Sequence, residues 1–256
     1  MRRLHLVEVH DLSWCPKTLR DGLTDFLEIS TKILDGYSQV RTHIHDVLTK
    51  TGTREVVDLC SGAGGPWVHW LANGSIDAKV TLTDKFPNGK ASERLKQIGI
   101  SELHYWQTPV DATAVPSELI GLRTIFTAFH HFRPAMAQAV IDDAVSKRQP
   151  IGIFELTARS PKIVWNMLLS PLGVLIFTPK MMGVGWKKIF WTYFIPAIPL
   201  VVLVDGIVSC LRTYSVEELQ SMAQHPSYHW SIGTAKDKKG SITYLIGYPR
   251  VVPSQD

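Results

Sequence analysis

Residues 56–70 read VVDLCSGAGGPWVHW: a β-branched apolar pair, an aspartate, three glycines within four positions, then Pro66 and Trp67. An apolar run closed by an acid and followed by glycines reads as a strand turning sharply into a helix. The glycines strip side chains from a place where the chain must turn or a ligand must approach the backbone. Two phosphate-binding alternatives fail on the residues themselves. A dinucleotide loop, GxGxxG, needs its third glycine where helix and strand pack closely, and here the indole of Trp67 occupies that place. No GxxxxGK[ST] run provides a phosphate loop either. A lone glycine turn is still open to a purely structural reading, so its surroundings decide.

Working outward, short apolar runs alternate with helical stretches: EVVDLC, AKVTLTD, LHYWQTPVDA, LRTIFTAF and PIGIFELTA are divided by GKASERLKQIG, PAMAQAVIDDAVSKR and shorter links. That alternation predicts a parallel sheet with crossover helices. Ahead of it, Leu19, Leu23, Phe26, Leu27, Leu34, Val40, Ile44 and Leu48 recur at helical spacing, with turns near Asp35-Gly36 and Thr51-Gly52. This predicts a two-helix N-terminal cover over 1–51, followed by a core over 52–159. The pattern then breaks into an apolar, Pro- and Gly-containing insertion over 160–211. Residues 212–256 close the chain with a helix in SVEELQSMAQ, N-capped by Ser215, and an antiparallel hairpin from SYHWSIGTA to SITYLIGYP.

With 256 residues, 45% of them hydrophobic, the chain can bury a full core. A net charge of +4 is too small for nucleic-acid binding unless it is clustered. Cys15, Cys60 and Cys210 are odd in number and scattered, which indicates neither a disulfide framework nor a zinc site and fits a reducing compartment. Glu8, His10 and Asp11 interrupt the N-terminus where an export signal needs its apolar stretch, so a cytoplasmic location is expected. His43 and His45, two apart on a helix, face different ways, and no metal site is expected there.

Three carboxylates fall at one edge of the expected sheet. Asp58 closes the first strand, Asp84 the second and Asp111 the third strand-like segment. At the second strand's end a carboxylate can accept both hydroxyls of a ribose; at the third, an acceptor can meet an adenine amine. In order and spacing, VVDLCSGAGGPW, TLTD, VDAT and TIFTAFHHF resemble the successive motifs of class I S-adenosylmethionine-dependent methyltransferases. The resemblance covers residues 52–159, and the terminal hairpin by topology. It implies an α/β, Rossmann-like seven-stranded sheet, six strands parallel and the last antiparallel, with S-adenosylmethionine as cofactor. It further implies that Asp58, Ser61, Gly62 and Gly64 wrap the methionine part, Asp84 the ribose, and Asp111 with the Ala112 backbone the adenine. One departure loosens the pattern: where family loops read D-x-G-x-G, Cys60 and Ser61 stand in place of the first glycine.

The AFHHF run ends the fourth strand where the transferred methyl would sit, and a neutral imidazole there can take a proton from an attacking hydroxyl, phenol or amine. Strand alternation points one of the pair at the pocket; His131 is preferred as base and His130 as a contact. Trp14, Tyr37, Trp67, Glu155 and Trp191 are the candidates for lining an acceptor pocket. The insertion concentrates four lysines against Asp205 alone, between uncharged runs over 163–179 and 189–204 broken by Pro171, Pro196 and Pro199. Two readings stay open for it, a lid on the pocket or a surface that dips into an anionic leaflet, and both predict a small, apolar acceptor. Beside the small-molecule reading stand an RNA methyltransferase, because DLCSGAGG is similar to loops in such enzymes, and a non-catalytic cofactor-binding protein. The chain has no basic aromatic stripe to favour the first.

Overall fold

The computed structural model describes residues 1–62, 64–87, 89–181, 185–237 and 240–250. In chain order its main elements are α1 (Lys17–Leu34), α2 (Arg41–Thr51), β1 (Glu55–Asp58), α3 (Trp67–Ala72), β2 (Lys79–Leu82), α4 (Gly89–Ile98), β3 (Leu103–Tyr105), β4 (Leu122–Phe126), α5 (Pro134–Ser146), β5 (Ile151–Glu155), α6 (Pro161–Met167), α7 (Ser170–Phe177), α8 (Trp186–Ile189), α9 (Ala197–Arg212), α10 (Val216–Met222), β6 (Tyr228–Asp237) and β7 (Gly240–Pro249). They gather into two compact units. One joins Met1–Gly36 to Thr157–Ser215; the other joins Tyr37–Leu156 to the chain from Val216 onward. The division falls between the two N-terminal helices rather than after both, and the insertion shares a unit with α1.

The second unit holds a seven-stranded sheet in the order β3-β2-β1-β4-β5-β7-β6. Registers such as Val57 opposite Thr81 and Arg123 are parallel, whereas β7 runs antiparallel to both β5 and β6. Six strands therefore share one direction and β7 opposes them, as the alternation and the closing hairpin predict. Every residue of β5 and four of five in β4 are buried, the pattern of parallel strands covered on both faces. Val56, Val80, Leu82, Leu122 and Phe154 of the sheet pack with Ile44, Val47 and Leu48 of α2 and with Trp67 and Trp70 of α3.

Three sequence expectations are corrected here. The second strand stops at Leu82, so Asp84 lies two residues beyond its end. The third strand stops at Tyr105, so Asp111 lies in the following loop and not at a strand end. Pro109 cannot donate to a ladder, yet the loop still runs beside β2, with Trp106 N donating to Leu82 O at 2.9 Å and Val110 N to Asp84 O at 2.9 Å. The fourth strand stops at Phe126, and the two histidines sit in a 3₁₀ turn over Phe129–His131. Strand alternation therefore does not govern which imidazole points where.

The first unit is helical. Leu19, Leu23 and Phe26 of α1 bury one stripe against Val174 of α7, Met181, and Ile198, Val201 and Val202 of α9. The helix ends where Asp35 takes a left-handed conformation, φ 46°, its N–H donating to Thr31 O.

Candidate functional site

The sheet order reverses between β2-β1 and β4-β5, which makes the carboxyl ends of β1 and β4 the topological switch point where ligands bind in open α/β sheets. Asp58 ends β1 there. Leu59 N then donates to Thr124 O at 2.8 Å, and the chain turns through Cys60 (φ 58°), Gly62 (φ 53°), Gly64 (φ 108°) and Gly65 (φ 52°). Cys60 thus takes the left-handed backbone that glycine adopts most readily. A side chain in that region costs about 1 kcal/mol, so Cys60→Gly is expected to gain up to about 1 kcal/mol, less what glycine loses in chain entropy. A melting temperature raised by a few degrees, read by calorimetry, checks this; a lowered one contradicts it. Burial and the carboxylates of Asp84, Asp58 and Asp111 push the Cys60 thiol above its usual range, so it is no thiolate nucleophile at neutral pH.

Ser61 laces the loop to β2. Its N–H donates to Thr83 O at 3.0 Å, its hydroxyl donates to Asp58 O at 2.7 Å, and Thr83 N donates back to the hydroxyl at 3.1 Å. Its side chain is therefore engaged in shaping the turn. Gly62 N donates to Asp84 Oδ2 at 3.0 Å, while Asp84 Oδ1 accepts from Phe86 N at 2.9 Å. A Cβ built on Gly62 or Gly65 would meet nothing within 4 Å, so the backbone there faces open space; one on Gly64 would strike Val68 at 2.9 Å. Gly64 serves packing, and Gly62 offers an approachable backbone beside a carboxylate.

Asp58 is buried and accepts from the Thr124 hydroxyl at 2.6 Å. Burial pushes its carboxyl up to about 6 despite the hydrogen bond from Thr124, and the charge of Asp84 adds to the rise. Asp111 behaves oppositely. Lys85 Nζ donates to Oδ2 at 2.7 Å, and Thr113 donates to Oδ1 through its N–H and hydroxyl at 2.9 and 2.7 Å, together holding the carboxyl down at about 2. Ala112 beside it is buried.

Beyond β4, Thr127 adopts φ 45°, an outlier for a β-branched residue. Its hydroxyl oxygen accepts from Leu156 N at 3.1 Å and pairs with the Tyr37 hydroxyl at 2.6 Å, which fixes the strained backbone. His130 follows, buried, with its N–H donating to Glu155 Oε1 at 3.0 Å and Nδ1 lying 2.8 Å from Oε2. Glu155 thereby selects the tautomer protonated on Nδ1 and leaves Nε2 as the basic nitrogen. It orients His130, where the sequence suggests a pocket wall. The His131 ring lies 4.4 Å from that of His130 and is partly exposed.

Other candidates separate. Trp67 has no exposed surface and packs edge-on to Trp70 and Phe126, which makes it core and corrects the expectation of a pocket contact. Tyr37 is buried against Phe126 but reaches Thr127 through its hydroxyl. Trp14 and Trp191 belong to the helical unit, the first exposed and the second packed on its core. Thr124, Thr127 and Lys85 escape a reading of the sequence, because a lone threonine at a strand end and a lysine after an aspartate carry no pattern of their own.

No family model matches the sequence, and no curated protein matches it. Solved structures do. The plantazolicin methyltransferase BpumL in complex with SAH is 10% identical, with a TM-score of 0.60 over 94% of each chain. The same enzyme with a monoazolic desmethylPZN analog and SAH is 10% identical, with a TM-score of 0.57 over 90% of each. Magnesium protoporphyrin IX methyltransferase (ChlM) from Synechocystis PCC 6803 with bound SAH is 11% identical, with a TM-score of 0.50 over 91% of this chain and 95% of that one. The chain has the fold of class I methyltransferases.

Proposed function

We propose that the chain binds S-adenosylmethionine and transfers its methyl group to an oxygen or nitrogen of a small, lipophilic acceptor. One observation carries the reading: at the switch point, the Asp84 carboxylate is tied to the backbone of Gly62, whose face is open. The fold likeness to methyltransferases crystallised with SAH supports the cofactor, and the acceptors of those neighbours, plantazolicin and magnesium protoporphyrin IX, favour a small molecule over a macromolecule. With this goes a cytoplasmic location, at the inner face of the membrane into which such an acceptor partitions.

The residues fit the group. Asp84 retains lone pairs on both oxygens to accept the ribose hydroxyls, Gly62 lets the amino-acid portion approach, and Asp58 supplies negative charge to a cationic ligand. Asp111, shared with Lys85, and the Ala112 backbone would meet the adenine. Bound there, the cofactor supplies a sulfonium methyl open to in-line displacement. His131, held against the Glu155-anchored His130, accepts the proton that the nucleophile loses, and alignment of the acceptor supplies much of the rate. Calorimetric titration with S-adenosylmethionine, S-adenosylhomocysteine, ATP and NAD tests the reading. Saturable binding of the first two alone is expected; binding of neither overturns it.

A further inference from the structure

We propose that the helical unit docks on an anionic membrane surface, lying in the lipid interface without crossing it, through the outer face of α6–α7 and the bend from α8 into α9. Residues Pro161–Lys180 form a 20-residue apolar stretch of mean hydropathy 1.3, of which only 11% is buried. Trp165, Leu168, Leu169, Leu172 and Ile176 are all exposed, Trp165 to 71%. At helical spacing these five fall within an arc of about 100°, so they form one continuous stripe. Further along, Trp186 and Phe194 are 72% and 76% exposed, with Tyr193 between them. A continuous apolar stripe such as that on α6–α7, with further exposed aromatics on the following segment, marks a site of association.

Twenty helical residues span about 30 Å, enough to cross a bilayer, but the opposite face of this stretch belongs to the core. Val174 and Phe177 pack with Leu19, Leu23 and Phe26 of α1 and Val201 of α9, and insertion across a bilayer would pull that core apart. The second apolar pair, Trp186–Phe194 and Ala197–Arg212, is bent by 73°. A helix lying flat keeps its core contacts and buries its outer stripe.

Charge selects the occupant. Between Glu155 and Asp205 the chain carries no acidic residue. Lys162, Lys180 and Lys187 are exposed at the ends of the apolar stretches, while Lys188 is paired with Asp25. Tryptophans edged by lysines suit the headgroup level of an anionic leaflet. A second copy of the chain would instead set these lysines against one another.

The inference rests on the membrane half of the reading above and is independent of methyl transfer. The test is sedimentation of the full chain with vesicles of phosphatidylcholine alone or mixed with phosphatidylglycerol, with tryptophan emission recorded. We expect partition to the mixed vesicles at least about tenfold above that to phosphatidylcholine, weakened by salt and accompanied by a blue shift. Lys180→Glu/Lys187→Glu should lose about tenfold or more, and Trp165→Ser/Trp186→Ser should abolish the shift, both with unchanged circular dichroism, since all four side chains are exposed. Absence of partition, equal partition of the charge variant, or a dimer that the tryptophan variant dissociates would overturn the proposal. Vesicle binding without cofactor binding would overturn the methyltransferase reading and leave this one standing.

Discussion

Replacing Asp84 with alanine should lower affinity for both S-adenosylmethionine and S-adenosylhomocysteine by about 100-fold or more, while the melting temperature moves only a few degrees. Hydrogen bonds to a charged acceptor contribute about 1.5–3 kcal/mol each, so losing two ribose hydroxyls costs about 3 kcal/mol or more, and each 1.4 kcal/mol is about tenfold in affinity. The folded protein loses less. The Asp84 oxygens accept from Gly62 N and Phe86 N, but these donors are accessible to water, which replaces the carboxylate. Asp84→Asn keeps one acceptor oxygen and no charge, so its affinity should fall between wild type and alanine. Calorimetry with both ligands and a thermal melt of each variant decide. Affinity within about twofold of wild type in the alanine variant would remove Asp84 from the ribose role and leave it a loop anchor.

Much of this site is legible in sequence because it sits on buried parallel strands. Runs such as EVVD and LRTIF are short and apolar since both faces are covered, and Asp58 announces itself by ending such a run, whereas Asp84 lies two residues past the end of β2. The turn after a strand is harder to read. Ala128–His131 could equally extend β4 or leave it, and the turn's own backbone bonds are joined by a pairing the sequence does not show, Glu155 with His130, 25 residues away. The Lys85–Asp111 pair is likewise long-range. The helical unit is hidden for the same reason: α1 and the insertion each show an apolar stripe, but nothing local says that the stripes meet. Cys60 shows the converse: a position where the resembled motif has glycine carries a side chain yet still takes a left-handed backbone.

Asp58→Asn should stabilise the protein at pH 8, by up to about 3 kcal/mol, and weaken cofactor binding. The sign comes from the carboxyl's rise from 3.8 to about 6 on folding. The folded state holds this proton more tightly than the unfolded chain, so the stability it contributes is complete below about pH 4 and lost as pH rises through 6. Each pKa unit is about 1.4 kcal/mol, which sets the penalty of the buried, ionised carboxylate near neutrality. Asparagine keeps an acceptor for the Thr124 hydroxyl without that charge, so the variant's advantage should appear between pH 4 and 8 and vanish at pH 4. A variant less stable at pH 8, or an advantage equal at both pH values, would show that Asp58 is not held in this costly state. Binding should move the other way. Wild-type affinity should decline on acidification through pH 6 as Asp58 takes its proton, and the variant's lower affinity should lack that step. S-adenosylhomocysteine has no sulfonium charge, so a loss confined to S-adenosylmethionine would place Asp58 against the sulfur, and an equal loss would place it against the amino group. In either case the positive charge of the ligand would offset the burial cost of the ionised Asp58 carboxylate, so binding and stability should respond to this residue in opposite directions.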